Sequence, residues 1–229
     1  LCSLLKKVNI RPLFIDIGDG TRFLDVERIN DLTTWDELRA VLHDADLWKD
    51  FGAVVIDDLT KAEELAAQWV VQNIPHEKPG KVVSSIESYG YGKGFTHLYE
   101  TFLQLLGDLD AHIRAGRQVV CIAHECTAKV PNPAGDNWIR YEPRLQSPES
   151  GKNSIRLRVK EWADHILFVG YDVHVTDEGK GTGAGTRTIY PVELPTHLAK
   201  SRDLSEAIPY VKGNAELWQK LLGASNATV

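Results

Sequence analysis

"GAVVIDDLT", residues 52–60, decides the fold. Its β-branched apolar run is too short for a helix and reads as a buried strand. "KAEELAAQWVVQ" (61–72) follows at once with helical periodicity, so the chain passes from a buried strand straight into a helix. Strands that alternate with helices in this way build a parallel sheet covered on both faces.

The same unit recurs on either side. "PLFIDI" (12–17) is a short buried strand that ends in a carboxylate before the turn "GDGT", and "QVVCIAH" (118–124) is another strand. Between them, Thr34 with Glu37 three residues on forms a capping box that opens the helix "TWDELRAVL" (34–42). Leu98, Phe102, Leu105, Leu109 and Ile113 recur at spacings of three and four, which makes an amphipathic helix that stops at Gly116. Residues 1–8 read as the tail of a helix. From Cys126 to Gly151 periodicity is weak and Pro, Asn and Gly are frequent, so a long loop is expected. A helix near 153–163, the strand "HILFVGYDVHV" (165–175), a Gly-rich turn at 179–185 and the strand "TRTIYPVEL" (186–194) complete the chain. The last third is expected to form an antiparallel hairpin on the edge of the parallel sheet. With no repeat or linker, residues 1–229 read as one α/β domain.

At 229 residues, 43% hydrophobic and 25% charged, the chain has an ordinary globular composition. No apolar run of about 18 residues occurs, so no membrane span is expected. Cys2, Cys121 and Cys126 lie in no zinc spacing and suit a reducing cytoplasm. A net charge of −6 argues against blanket nucleic-acid binding but leaves room for a local basic groove. The chain contains no Met and starts inside an apolar stretch, "LCSLLKKVN", so part of the polypeptide, methionines included, is expected to be missing from it.

In a parallel sheet, ligands bind beyond the carboxyl ends of the strands. Three strands end there in polar groups: Asp16 and Asp19, Asp57 and Asp58, His124 and Glu125. "AVVIDD" has the Walker B pattern, whose aspartate holds Mg²⁺, usually through water, beside the β- and γ-phosphates. The plainer alternative is that Asp57 caps the following helix. His124 suits a γ-phosphate sensor, or is a histidine satisfied by backbone. "HEC" (124–126) is a poor metal site, because consecutive residues on an extended segment point to opposite sides.

Two further stretches are candidates for binding. "YGYGKGF" (89–95) looks like a phosphate loop and fails as one: its glycines alternate, and Lys93 is followed by Gly94 and Phe95 instead of a hydroxyl. In the stretch that starts at Cys126, Lys129, Arg140, Arg144, Lys152, Arg156, Arg158 and Lys160 stand against Asp136, Glu142 and Glu149, with Trp138 and Tyr141 among them. Cations interleaved with aromatics suit single-stranded nucleic acid, where phosphates are neutralised and bases stack. An ordinary solvated loop is the alternative.

Taken in order, "PLFIDIGDGTRFLDVERI", "GAVVIDDLT", "YGYGKGF", "QVVCIAHE", "RYEPRL", "VKEWADHILF" and "AKSRDL" resemble the RecA-like P-loop ATPases of bacteriophages, most closely the Sak group of single-strand annealing and recombination proteins. The resemblance covers about residues 12–208. It implies a RecA-like core that binds ATP and Mg²⁺, binds single-stranded DNA and assembles as a homo-oligomer, filament or ring, in the cytoplasm of a bacterial host. The family's Walker A loop would fall immediately before Leu1. Asp57 then matches the Mg²⁺-associated aspartate, with Asp58 beside it at the nucleotide, and His124 the residue linking the γ-phosphate to the DNA-binding loop. Gly18 stands where relatives carry the catalytic glutamate, which leaves Asp19 as the acid that could reach the water. Lys200 and Arg202 match the cationic pair inserted into a neighbour's nucleotide site. "YGYGKGF" takes the place of the first DNA-facing loop. Lys93 would then contact phosphate, and Tyr89, Tyr91 or Phe95 would stack on bases, with Lys129, Trp138, Arg140 and Arg144 on the second loop. A helicase-like or loader ATPase with the same core, and a DNA-binding module without hydrolysis, are the rival readings.

Overall fold

The computed structural model describes residues 1–148, 151–175 and 181–223. Glu149 and residues 179–180 of the expected Gly-rich turn lie outside these. The core is a parallel sheet of β1 (Pro12–Asp16), β2 (Arg28–Ile29), β3 (Ala53–Asp57) and β4 (Gln118–Cys121), in the order β2-β1-β3-β4. β1 and β3 are buried almost throughout, as their unbroken apolar runs require. Their register sets Pro12 against Ala53 and Asp16 against Asp57, so both strands deliver a carboxylate at the same level of one sheet edge.

The alternation of side chains along β3 feeds two cores. Val54 and Ile56, with Leu13 and Ile15 of β1, pack on one face against α1 (Trp35–His43), α2 (Leu59–Asn73) and α3 (Lys93–Arg114), through Leu38, Leu59, Phe102 and Leu105. Ala53 and Val55, with Phe14, pack on the other face against a 3₁₀ helix (Cys2–Val8) and α5 (Glu216–Gly223), through Leu5, Leu217 and Trp218. Each such fully buried Val, Leu or Ile side chain contributes about 1.5–3 kcal/mol relative to exposure. The Thr34–Glu37 capping box is present, with Glu37 N–H donating to Thr34 Oγ1 at 3.2 Å and Thr34 N–H to Glu37 Oε2 at 3.1 Å.

Two expectations are corrected. The stretch after Glu125 is not a loop but a hairpin of β5 (Glu125–Val130) and β6 (Trp138–Pro143), paired from Glu125 against Pro143 to Val130 against Trp138. Asn132 makes its turn, its side-chain oxygen accepting from Ala134 N–H at 3.1 Å. The second correction concerns β7 (Phe168–Val175) and β8 (Gly181–Tyr190), which form the expected antiparallel hairpin after α4 (Ile155–Trp162). They do not extend the parallel sheet. With β9 (Ile208–Pro209) they make a separate three-stranded sheet, and residues 181–185 belong to β8 instead of a turn. β4 and residues 165–169 both line one cavity of about 970 Å³. Among the described residues, no helix is long and apolar enough to cross a membrane.

Candidate functional site

The site begins with the two carboxylates at the ends of β1 and β3. Asp16 is fully buried and saturated. It accepts from Gly20 N–H and Thr21 N–H, each at 2.9 Å, from the Thr21 hydroxyl, and from the Arg28 guanidinium at 3.0 Å. Burial works to raise its pKa, but donation from Thr21, Arg28 and Gly20 prevails and holds it below the usual range. Asp16 therefore anchors the turn 17–21, which lies in front of β3.

Asp57 is the opposite case. It is half-buried, and among the described residues its carboxylate has no hydrogen-bond or ion-pair partner. Burial raises its pKa, and the nearby charges of Asp16 and Asp58 add to this against the opposing influence of His124. Gly20 faces it: a Cβ there would stand 3.8 Å from Asp57 Oδ2, in ordinary contact. A bare carboxylate, repelled by its neighbours and faced by glycine, is a place for a cation. Mg²⁺ fits such a site, because it is commonly held by one or two carboxylates with waters and phosphate oxygens instead of an all-protein cage. Among the described residues no group of three or more His, Cys, Asp or Glu is placed to hold a metal.

The adjacent Asp58, not Asp57, is the helix cap. Its side chain accepts from Lys61 N–H at 2.8 Å, and its Oδ2 lies 3.2 Å from His124 Nε2. This corrects the expectation that Asp58 meets the nucleotide directly: its carboxylate is buried and committed. His124, more than half exposed, is held on its backbone as well, its N–H donating to Thr60 Oγ1 at 3.3 Å and its C=O accepting from Arg144 N–H at 2.8 Å.

Asp19, expected as an alternative acid, has its carboxylate paired with Arg28 at 2.7 Å. A Cβ on Gly18 would sit 3.9 Å from Asp58 Oδ2, so residue 18 faces the first turn of α2. The cationic pair divides. Lys200 Nζ donates to the carbonyls of Lys160 and Glu161 at 2.8 and 3.4 Å, closing the C-terminal end of α4, where a cation suits the helix dipole. It is thus a local cap instead of a free finger. Arg202 is largely exposed, contacts Asp164 at 3.0 Å and lines the same cavity as Asp57 and His124.

The proposed binding loops also divide. Gly90, Tyr91 and Gly92 all have left-handed φ, at 75°, 51° and 72°, which throws Tyr91 fully into solvent. Gly94 is required for another reason: a Cβ there would lie 2.0 Å from the Ile86 carbonyl oxygen. Tyr89 is not available for stacking, because it is buried with its hydroxyl on the carbonyls of Val70 and Ile74. Lys93 pairs with Glu77 on the surface. On the hairpin, Trp138, Ile139 and Tyr141 are exposed, as is Lys129. Arg140 is not: it is buried between Glu142 at 2.7 Å and Glu193 at 2.6 Å, and is removed from the candidate DNA contacts. Arg144 keeps an exposed side chain beside His124. Sequence reasoning missed Gly20, Arg28, Thr60 and Glu63; only "GDGT" offered a signal, and its facing of Asp57 depends on the β1–β3 register.

Residues 2–203 match a protein family described as an AAA domain. No curated protein matches the chain, and neither does any solved structure.

Proposed function

The chain belongs to the AAA domain family, an ATPase class of P-loop type, and from that premise we propose that it is the core of a phage-type recombination ATPase that binds single-stranded DNA. The observation that carries this reading is the bare carboxylate of Asp57 at the end of β3. Asp57 would hold Mg²⁺ through its water shell, and the cation, when bound with ATP, supplies charge neutralisation at the β- and γ-phosphates. His124, beside Asp58, is the candidate for reporting the γ-phosphate, since its Nδ1 has no protein partner among the described residues. Arg202, on the wall of the same cavity, is the candidate to act on a neighbour's site in a homo-oligomer.

No phosphate loop of the Walker type occurs within residues 1–229. Among the described residues β4 pairs only with β3, and β4, residues 165–169, Leu1, Cys2 and Ser3 line the same cavity as Asp57 and His124. Trp138, Tyr141, Lys129 and Arg144 on or beside the hairpin, with Tyr91 and Lys93, are the groups suited to stacking and phosphate contact. Annealing or strand exchange in a bacterial cytoplasm is the role this combination serves.

Phosphate release by the full-length protein, with and without single-stranded DNA, tests the proposal. Mg²⁺-dependent release that DNA stimulates is expected. DNA binding without release at any Mg²⁺ concentration would favour the second reading, a module that has lost hydrolysis. That reading draws on Gly18 and on the engagement of Asp19 by Arg28.

A further inference from the structure

α2 begins at the site and fastens something beyond it. Thr60 and Glu63 are three residues apart on its first turns and so share a face. The Thr60 hydroxyl, buried, donates to Arg144 C=O at 3.2 Å and accepts from His124 N–H at 3.3 Å. Glu63 Oε2 accepts from Gln146 N–H at 2.9 Å. Arg144 N–H donates back to His124 C=O at 2.8 Å. Residues 144–146 are the chain's exit from β6 toward α4. The root of the exposed hairpin is therefore tied to the helix turn that Asp58 caps and to the backbone of His124.

We propose that Thr60 and Glu63 are positioning residues that transmit the state of the Asp57–His124 site to the β5–β6 hairpin by holding its exit segment on α2. The proposal rests on the functional reading above, in that the state transmitted is nucleotide occupancy. Any movement of His124 acts on Arg144 by two routes, one direct hydrogen bond and one pair of hydrogen bonds by way of the Thr60 hydroxyl. Glu63 makes the tie sensitive to protonation. Burial pushes its carboxyl up to about 7, against the Gln146 N–H and the Arg156 charge, with Glu64 adding to the rise. Arg156 faces it from α4 with its Nε buried and unpartnered and another of its nitrogens on Leu145 C=O at 3.1 Å. The ionised form accepts the stronger, charge-assisted bond from Gln146. The tie therefore tightens as pH rises through about 7.

Amide hydrogen exchange over residues 138–146 of the full-length protein, with and without ATPγS and Mg²⁺, tests this, with nucleotide binding measured in parallel. Wild type is expected to change its exchange on nucleotide binding, more so above the Glu63 value than below it. Thr60→Val should bind nucleotide and lose the response, and Thr60→Ser should restore it. Glu63→Gln should keep a response that no longer varies with pH. A full response in Thr60→Val overturns the proposal. If that variant does not fold, Glu63→Gln decides alone, and a wild-type pH profile in it overturns the proposal. Wild type that binds nucleotide without any change in the hairpin refutes the coupling and leaves the ATPase reading standing. Failure of wild type to bind nucleotide refutes both.

Discussion

Asp16 and Asp57 stand opposite each other in the β1–β3 ladder, one saturated by four donations and the other bare. The contrast separates a structural carboxylate from a chemical one, and different measurements should detect each.

Asp16→Ala should cost about 1–3 kcal/mol of stability near neutral pH, because it leaves the buried Thr21 N–H and hydroxyl without their acceptor, while Arg28 keeps Asp19. The pKa of Asp16 is lowered by folding, so its contribution is present above the unfolded value of about 3.9 and is lost as pH falls through the folded one. Urea unfolding over an acid series checks both parts. A loss under about 1 kcal/mol would show that the turn 17–21 holds without this anchor.

Glu63 carries the opposite sign. Its folded pKa is raised to about 7, so the neutral acid suits the fold, and the penalty for ionising it grows from about pH 4.5 upward and is complete above about pH 7. Glu63→Gln should match wild type in acid and become more stable by up to about 3 kcal/mol at alkaline pH. Equal stability differences at both ends of a denaturation series would contradict the burial argument.

For DNA, the cations and aromatics should separate. Replacing Lys93, Lys129 and Arg144 with Ala should flatten the salt dependence of single-strand binding by about 0.7 per lost phosphate contact. Tyr91→Ala or Trp138→Ala should lower affinity at every salt concentration by about 1–3 kcal/mol. Arg140→Ala should instead destabilise the fold, since it strands Glu142 in a buried pair. If the triple variant keeps wild-type affinity and slope, the DNA path lies elsewhere.

Arg202 and Lys200 should now differ. In mixtures with an Asp57 variant, Arg202→Ala is expected to regain part of its lost turnover, because mixed interfaces pair an intact Asp57 with an intact Arg202. Lys200→Ala should show mainly reduced stability from loss of the α4 cap. No recovery at any mixing ratio, with assembly confirmed, would place Arg202 outside a shared site.

What was legible in the sequence was what short-range physics determines. The apolar run of β3, the Thr34–Glu37 box and the periodicity of α3 each announce themselves within a few residues. The β5–β6 hairpin did not, because its half-buried positions Cys126, Ala128 and Val130 are small and give period-two alternation little contrast. Lys200 looked like a free cation because its partner, the Lys160 carbonyl, lies 40 residues away, and Arg140 because Glu193, which joins the neighbouring Glu142 in enclosing it, lies 53 away. Of the adjacent Asp57 and Asp58, the sequence pointed to Asp57 as the alternative cap; the three-dimensional turn decided for Asp58 and left Asp57 open.

The central claim is that this bare carboxylate serves a Mg²⁺-nucleotide. It is tested most directly by comparing Mg²⁺-dependent ATP turnover of the full-length protein with that of Asp57→Ala, alongside a denaturation curve for each. Turnover abolished in a variant that is as stable as wild type, or more stable for having lost a repelled carboxylate, is the predicted result. Undiminished turnover in a well-folded Asp57→Ala protein would contradict the account.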